Sequence, residues 1–334
     1  MKLTLPLFAA FGLAAQQPRI ANARLEPRAA GNLSSTFQSA VGSTDSAAWI
    51  AWTVPAVKGH GESCCWNNGN RGCGLEGQVR NASSTGPVML EGSSTLVVLF
   101  RIEHRAVDKM RTVSGDCDLD AGGLPVLLLT GVRPAESVAL LESTMKPERY
   151  EALNAIALHD DPAADAALER FGNASQPERV REKLGFALAA FRGKRGFDLL
   201  KRLHANEQDD HVREKNMFAF SVSKEPQAID TLIDAAKNDK APRVRAQALF
   251  WMAHKAGDRE KAAIQNAVDN DPDTEVKKKA VFALKQLPDD QGVPLLIQQA
   301  RTNKNPEVRK QAMFWLGQSH DPRALTFFQE VLGR

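Results

Sequence analysis

Several familiar signatures are missing from this chain. There is no Gly-x-Ser-x-Gly nucleophile elbow, no phosphate-binding glycine loop and no His-Glu-x2-His pair, which removes the readable marks of serine hydrolases, nucleotide-driven enzymes and zinc peptidases. Charge of one sign is also lacking. The formal net charge is +3 over 334 residues, with acids and bases interspersed and no concentrated basic face of the kind nucleic acid requires. Aromatic residues make up 6% of the chain, with one tyrosine, yet phenylalanine gathers in the C-terminal half. His159, His204, His211, His254 and His320 are scattered without a repeated metal spacing. No catalytic, cofactor-binding or metal-binding residues are expected.

Long apolar runs are absent too. The longest opening run, Leu3 to Leu13 after Lys2, is too short for a bilayer, which needs about 20 residues. Followed by Ala14-Ala15, it reads as a signal peptide over residues 1–15, with a buried first helix as the alternative. A second small-x-small site, Ala21-Asn22-Ala23, leaves the cleavage point open. The expectation is an exported protein, periplasmic or extracellular, without membrane insertion.

Cysteine is rare, and its placement is informative. Cys64, Cys65, Cys73 and Cys117 all lie in the N-terminal part, and an even count in an exported chain points to two disulfides. Vicinal cysteines bridge each other poorly, so Cys73 is expected to take one of the pair and Cys117 the other. The alternative, a zinc site with His60, lacks a Cys-x2-Cys knuckle.

Against these absences stands a repeat. Val180, Val212, Val244, Val276 and Val308 recur at one unvarying interval, each followed by Arg or Lys. Phenylalanine follows at +6 (Phe186, Phe218, Phe250, Phe282, Phe314), with a large apolar residue at +8 and another at +20 (Leu200, Leu232, Ile264, Leu296, Phe328). Five copies at one period, without insertion, mean stacked units that bury each other's apolar faces. Each unit reads as two helices. Asp271-Pro272, Asn305-Pro306 and Asp321-Pro322 look like N-caps with proline at the first helical position. A degenerate sixth unit, about 147–176, precedes them with Tyr150, Ala157, Leu158 and Leu168 in matching places.

The pattern Val-Arg-x2-Ala-x2-Ala/Trp-Leu/Met over Glu178 to Leu332 closely resembles the HEAT repeat, in particular its short bacterial variant. That resemblance implies an α-solenoid of the HEAT/armadillo type, a right-handed superhelix with the valine-led helices on its concave side. It also implies protein binding as the usual role. The same short repeat occurs in lyases that attach bilin pigments, but the repeat alone supplies no chemistry.

Residues 16–133 have another texture. Ala48 to Val57, Ser94 to Glu103 and Leu124 to Val132 read as strands, and Asn32 to Gly42 as a helix. The expected architecture is therefore a small disulfide-containing β-rich domain at 16–133 and a repeat array at 134–334. In the first part, Asp116, Asp118 and Asp120 imitate the start of a calcium loop. Ala121 and Leu127 stand where glycine and glutamate are required, so an acidic turn is the plainer reading. An enzyme accessory or hydrolase site near Asp116 to Asp120 is the alternative function. Asn32, Asn81 and Asn173 begin Asn-x-Ser sequences that matter only in a eukaryotic secretory route.

The phenylalanine column poses the functional question. Leu249 to Met252, Val281 to Leu284 and Met313 to Leu316 place four apolar residues in one turn, and a helix apolar all round is normally buried all round. Either neighbouring repeats enclose the phenylalanines, or they form a ridge open to a partner. On the first reading the contact surface falls to the polar residues beside them: Lys215, Gln247, His254, Lys279, Gln286, Gln311 and Gln318. The expected function is a monomeric scaffold or adaptor for a protein partner, without nucleic acid.

Overall fold

The computed structural model describes residues 17–59, 61, 63–67, 70–77, 93–145, 150–255 and 257–333. The expected signal peptide at 1–15, His60 and Asn81 lie outside them. Two contact-dense units divide the chain, Met1–Ala167 and Leu168–Arg334.

The first unit contains β1 (Ile20–Ala21), β2 (Arg24–Ala29), α1 (Leu33–Ser43), β3 (Ala48–Pro55), β4 (Trp66–Asn67), β5 (Asn70–Arg71) and β6 (Cys73–Gly74). It continues through β7 (Thr95–Glu103), β8 (Ala106–Ser114), β9 (Leu119–Asp120), β10 (Pro125–Thr130), α2 (Pro134–Thr144) and α3 (Glu151–Leu158). Five strands form a mixed sheet in the order β2-β10-β3-β7-β8. β2 and β3 flank β10 in parallel, and β7 and β8 extend the sheet antiparallel. Central β3 and β7 are apolar on both faces because both faces are covered. On one side Trp52, Val98 and Phe100 meet α1, whose buried Leu33, Phe37, Ala40 and Val41 share one helical stripe. On the other side Trp49, Ala51, Val97 and Leu99 pack under the cysteine-bearing segment and Leu119.

That segment has little regular structure and is secured covalently. Cys64 bridges Cys117 and Cys65 bridges Cys73, and no cysteine is free. Cys73 and Cys117 each take one of the vicinal thiols, so the zinc alternative is overturned: the sulfurs are spent on each other. Glu76, on the same segment, accepts from Trp49 Nε1 at 2.9 Å and from Arg101 Nε at 3.1 Å, clamping the layer to the sheet.

The division by contact density falls after Ala167. α2 and α3 are held in the first unit by a buried polar chain. His159 Nδ1 lies 2.7 Å from the Ala155 carbonyl and must donate to it, which leaves Nε2 to accept from Ser137 Oγ at 2.8 Å. Ser137 Oγ in turn accepts from Trp52 Nε1 at 2.8 Å.

α4 (Pro162–Phe171) runs across the boundary into the second unit. There, α5 (Glu178–Phe191) pairs with α6 (Gly193–Asn206), α7 (Asp210–Val222) with α8 (Ala228–Asn238), and α9 (Pro242–Ala253) with α10 (Asp258–Asn270). α11 (Thr274–Gln286) with α12 (Asp289–Thr302), and α13 (Pro306–Gly317) with α14 (Pro322–Leu332), complete the five hairpins. The repeat valines, and the residues eight positions after them, are buried in every unit. The odd-numbered helices lie side by side. Gly185 permits the close approach of α5 and α7, since a Cβ there would meet Asn216 Oδ1 at 2.4 Å.

Two local expectations are corrected. Asp271 does not cap α11; Asp273 does, accepting from Glu275 N and Val276 N, because the Asp271 carboxylate is occupied by Arg245. Phe328 is only half-buried, while Phe327 takes the core position. Asn305 and Asp321 cap α13 and α14, each with proline next.

Candidate functional site

Positions +3, +6 and +10 after each valine lie on one arc of the odd-numbered helix, to one side of the valine-bearing face, with +6 the furthest from it. The phenylalanines at +6 are therefore not enclosed. Phe218 is 38% exposed and Phe314 53%, and Phe186, Phe250 and Phe282 are half-buried. They lean on each other instead. Phe186 stacks on Phe218 at 5.8 Å, Phe218 meets Trp251 at 4.9 Å, and Phe250 stacks on Phe282 at 6.3 Å. Phe282 meets Trp315 at 5.1 Å, which meets Phe314 at 4.9 Å. Since Trp251 also touches Phe250 at 4.9 Å, ring contacts run without a break from α5 to α13.

Sequence reasoning placed the two tryptophans in the repeat but missed how they bridge it. At +7 the repeats read Ala187, Ala219, Trp251, Ala283 and Trp315, so each indole spreads toward the helix before it, where the corresponding residue is alanine. Their Nε1 atoms are both occluded and without an acceptor, an arrangement that costs about 1–3 kcal/mol for a buried donor.

The polar residues expected beside the ridge are all accessible. Lys215, His254, Lys279 and Gln318 are exposed, and Gln247, Gln286 and Gln311 are partly so. His254 stays close to the rings, with Nδ1 at 3.0 Å from the Phe250 carbonyl and its imidazole 4.8 Å from the Phe250 ring.

Beneath the ridge the repeats are joined by a second ladder. Arg181, Arg213 and Arg245 donate to Glu207, Asp239 and Asp271, each at the start of the following repeat, at 2.9, 2.9 and 2.8 Å. The same arginines reach carbonyls of the loop before their own helix, as Arg245 Nη1 does to Asp239 at 2.9 Å. At the next step both partners change together, to Lys277 and Asn303. These acids recur at the same interval as the valines, which was the available signal.

Other candidates gather less. Asp118 pairs with Arg19 at 2.6 Å. Buried Asp120 accepts from Asn22 at 2.9 Å and from Gly122 N at 2.8 Å, closing a turn that Gly122 and Gly123 permit with positive φ. Asp116, Asp118 and Asp120 do not share a point where ligand atoms converge. Among the described residues, two groups bring three ligand-type atoms within 4.8 Å. One is the bridged Cys64, Cys73 and Cys117; the other is Glu178, Glu182 and His211. His211 Nε2 sits 2.9 Å from Glu182, and Arg243 lies beside Glu214 at 2.9 Å on its other side.

Residues 260–334 match the family of HEAT repeats. The second unit is an α-solenoid of such repeats, preceded by a β-rich disulfide-bonded unit. No curated protein matches the chain. Among solved structures it is similar to human deoxyhypusine hydroxylase in complex with glycerol, at 16% identity over 60% of this chain and 80% of that one, TM-score 0.31. It is also similar to the complex of CpcE and CpcF of phycocyanin lyase from a Nostoc species, at 22% identity over 48% of this chain and 100% of that one, TM-score 0.34. At those scores neither likeness bears on the chemistry of this chain.

Proposed function

We propose that this protein is an exported scaffold that binds a protein partner along the odd-numbered helices of its solenoid, and that it acts by binding rather than by catalysis. The observation that carries the reading is the unbroken ring ladder from α5 to α13, open to solvent at Phe218 and Phe314. Contiguous apolar surface bordered by polar side chains is the usual anatomy of an interaction site. Rigid repeats suit it, since stacked hairpins hold a long surface without a closed pocket. Export is supported by the two disulfides, which persist in oxidising compartments. Among the described residues no helix is long and apolar enough to cross a membrane.

The test is site-specific crosslinking in the native cell. A photoreactive residue at Lys279 or Gln311 should trap one discrete partner, and the same residue at exposed Lys201 on α6 should not. A Phe218→Ser/Phe314→Ser double variant should lose the adduct while keeping its helical signal. Equal trapping from both faces, or an adduct indifferent to the double variant, would place the interaction elsewhere.

A further inference from the structure

We infer that the occupant of the ring ladder is an extended segment of the protein partner in which acidic residues alternate with apolar or aromatic ones; this rests on the scaffold reading above. The first ground is charge. On α9, α11 and α13, acids are confined to the first turn, at Glu275 and Glu307. From the second turn onward the accessible polar positions carry only amides, cations and His254. Lys279 is exposed on this arc and Lys310 beside it, and Lys215 continues it onto α7, where the neighbouring Glu214 is taken up by Arg243 at 2.9 Å. Among the described residues no carboxylate pairs with any of these three. Solvent-facing cations beside apolar rings, with no acid among them beyond the first turn of α9, α11 and α13, favour a segment bearing carboxylates next to its own apolar side chains.

Reach is the second ground. Packed helices lie about 8–10 Å apart, so five in a row span roughly 35–40 Å. An extended chain rises about 3.3 Å per residue and would cross the row in about a dozen residues. Amide side chains at Gln247, Gln286, Gln311 and Gln318 offer both donor and acceptor to a main chain laid across them.

A single-stranded nucleic acid would also be drawn to lysine beside aromatic rings. The ring faces argue against it. Phe186 lies parallel to Phe218 within 1° and Phe250 to Phe282 within 3°, so these rings spend faces on each other that nucleobases would need.

The experiment uses the full oxidised protein and fluorescence anisotropy. Three labelled probes of about twelve units are compared: a peptide alternating glutamate with leucine and phenylalanine, its lysine-for-glutamate counterpart, and oligothymidylate. The acidic peptide should bind at least about tenfold tighter than the basic one, and more weakly as salt rises. A Lys279→Glu/Lys310→Glu variant should reverse that preference. Equal or tighter binding of the basic peptide overturns the acidic assignment. Tighter binding of oligothymidylate overturns the peptide, and no saturable binding of either peptide overturns the extended segment. Phe314→Ser separates this from the scaffold reading. If wild type binds both peptides equally and Phe314→Ser weakens both, the ridge stands and only the charge preference falls; if the acidic peptide binds Phe314→Ser as well as wild type, the ridge itself is wrong.

Discussion

Arg245 and Asp271 are joined by two hydrogen bonds, Nε to Oδ2 at 2.8 Å and Nη2 to Oδ1 at 3.0 Å, with side-chain exposures of only 8% and 4%. The pair ties the start of one repeat to the start of the next, because Asp271 Oδ1 also accepts from Asp273 N at 2.9 Å. Arg245→Ala leaves a buried carboxylate without its cation, so chemical denaturation should report a loss of about 3–5 kcal/mol. At the next step the chain itself carries Lys277 and Asn303 without an ion pair between them: Lys277 Nζ donates to the Asp269 carbonyl, and Asn303 Oδ1 still accepts from Asn305 N, both at 2.9 Å. Combining Arg245→Lys with Asp271→Asn should therefore cost much less than Arg245→Ala alone. Equal losses would mean the ladder acts by packing rather than by charge.

Reduction should expose the dependence of the first unit on its bridges. Cys64–Cys117 closes a span of 53 residues, and loops of that size stabilise by roughly 4 kcal/mol in the chain-entropy view. Intact mass should rise by four hydrogens on reduction, and the first unit should melt earlier while the helical signal of the repeats persists. Four reactive thiols in protein purified under oxidising conditions would contradict the pairing.

Acid should weaken the solenoid in a defined window. Burial pushes the His204 imidazole down from its usual 6.5 to about 4, with Phe220 edge-on at 5.3 Å and Asn216 Nδ2 at 3.5 Å. The folded state thus resists a proton that the unfolded chain accepts. Stability is full above about pH 6.5 and falls as pH drops toward 4, by at most about 3 kcal/mol. Asp239, held below its usual 3.8, contributes its own loss only at lower pH. Denaturation midpoints at pH 7 and pH 4.5 should differ, and His204→Gln should shrink the difference. An unchanged gap in that variant would assign the acid sensitivity to other groups.

What could be read from the sequence follows from where periodicity is strong. The valines and their +8 partners are buried in all five units, so their spacing carries the solenoid. Strands β3, β7 and β10 were legible because both faces are covered and the runs are apolar. β2 and β8 were not, being the edges of the sheet: Arg24 to Ala29 is exposed throughout, and Ala106 to Ser114 alternates toward solvent. An Asp-Pro step looks the same whether its carboxylate caps its own helix or serves an arginine of the preceding repeat, so Asp271 could not be told from a cap. The ridge was legible as a column of rings. Its partial exposure was not, since helical spacing gives direction but not how far a neighbouring indole reaches.

A fragment beginning at Pro162 should fold alone. It keeps α4, whose Glu169 reaches Arg202 on α6 at 2.8 Å, and whose following Gly172 lies against Leu203. Each hairpin rests on its neighbours, so the array needs a first helix to cover α5 and α6 rather than the whole first unit. The fragment should be soluble, helical by circular dichroism and cooperative on heating. Aggregation of this fragment would mean that apolar surface of the repeats depends on residues before Pro162.

Two phenylalanines on the same column should behave differently, and the contrast separates packing from binding. Phe282 is half-buried between Phe250 and Trp315, with ring centroids 6.3 and 5.1 Å away. A fully buried phenylalanine costs about 3–5 kcal/mol when cut to alanine; with part of its ring already in water, Phe282→Ala should cost about 2 kcal/mol. Phe314 closes the column, is 53% exposed and leans only on Trp315 among the rings. Phe314→Ala should shift stability by no more than about 0.5 kcal/mol, yet weaken partner binding by about 2 kcal/mol if the ring anchors the interface. Melting curves and partner affinity measured on both variants check this together. If Phe314→Ala destabilises the free protein as much as Phe282→Ala and leaves affinity unchanged, the column is core along its whole length, and the binding surface must be sought on the lysines and amides beside it.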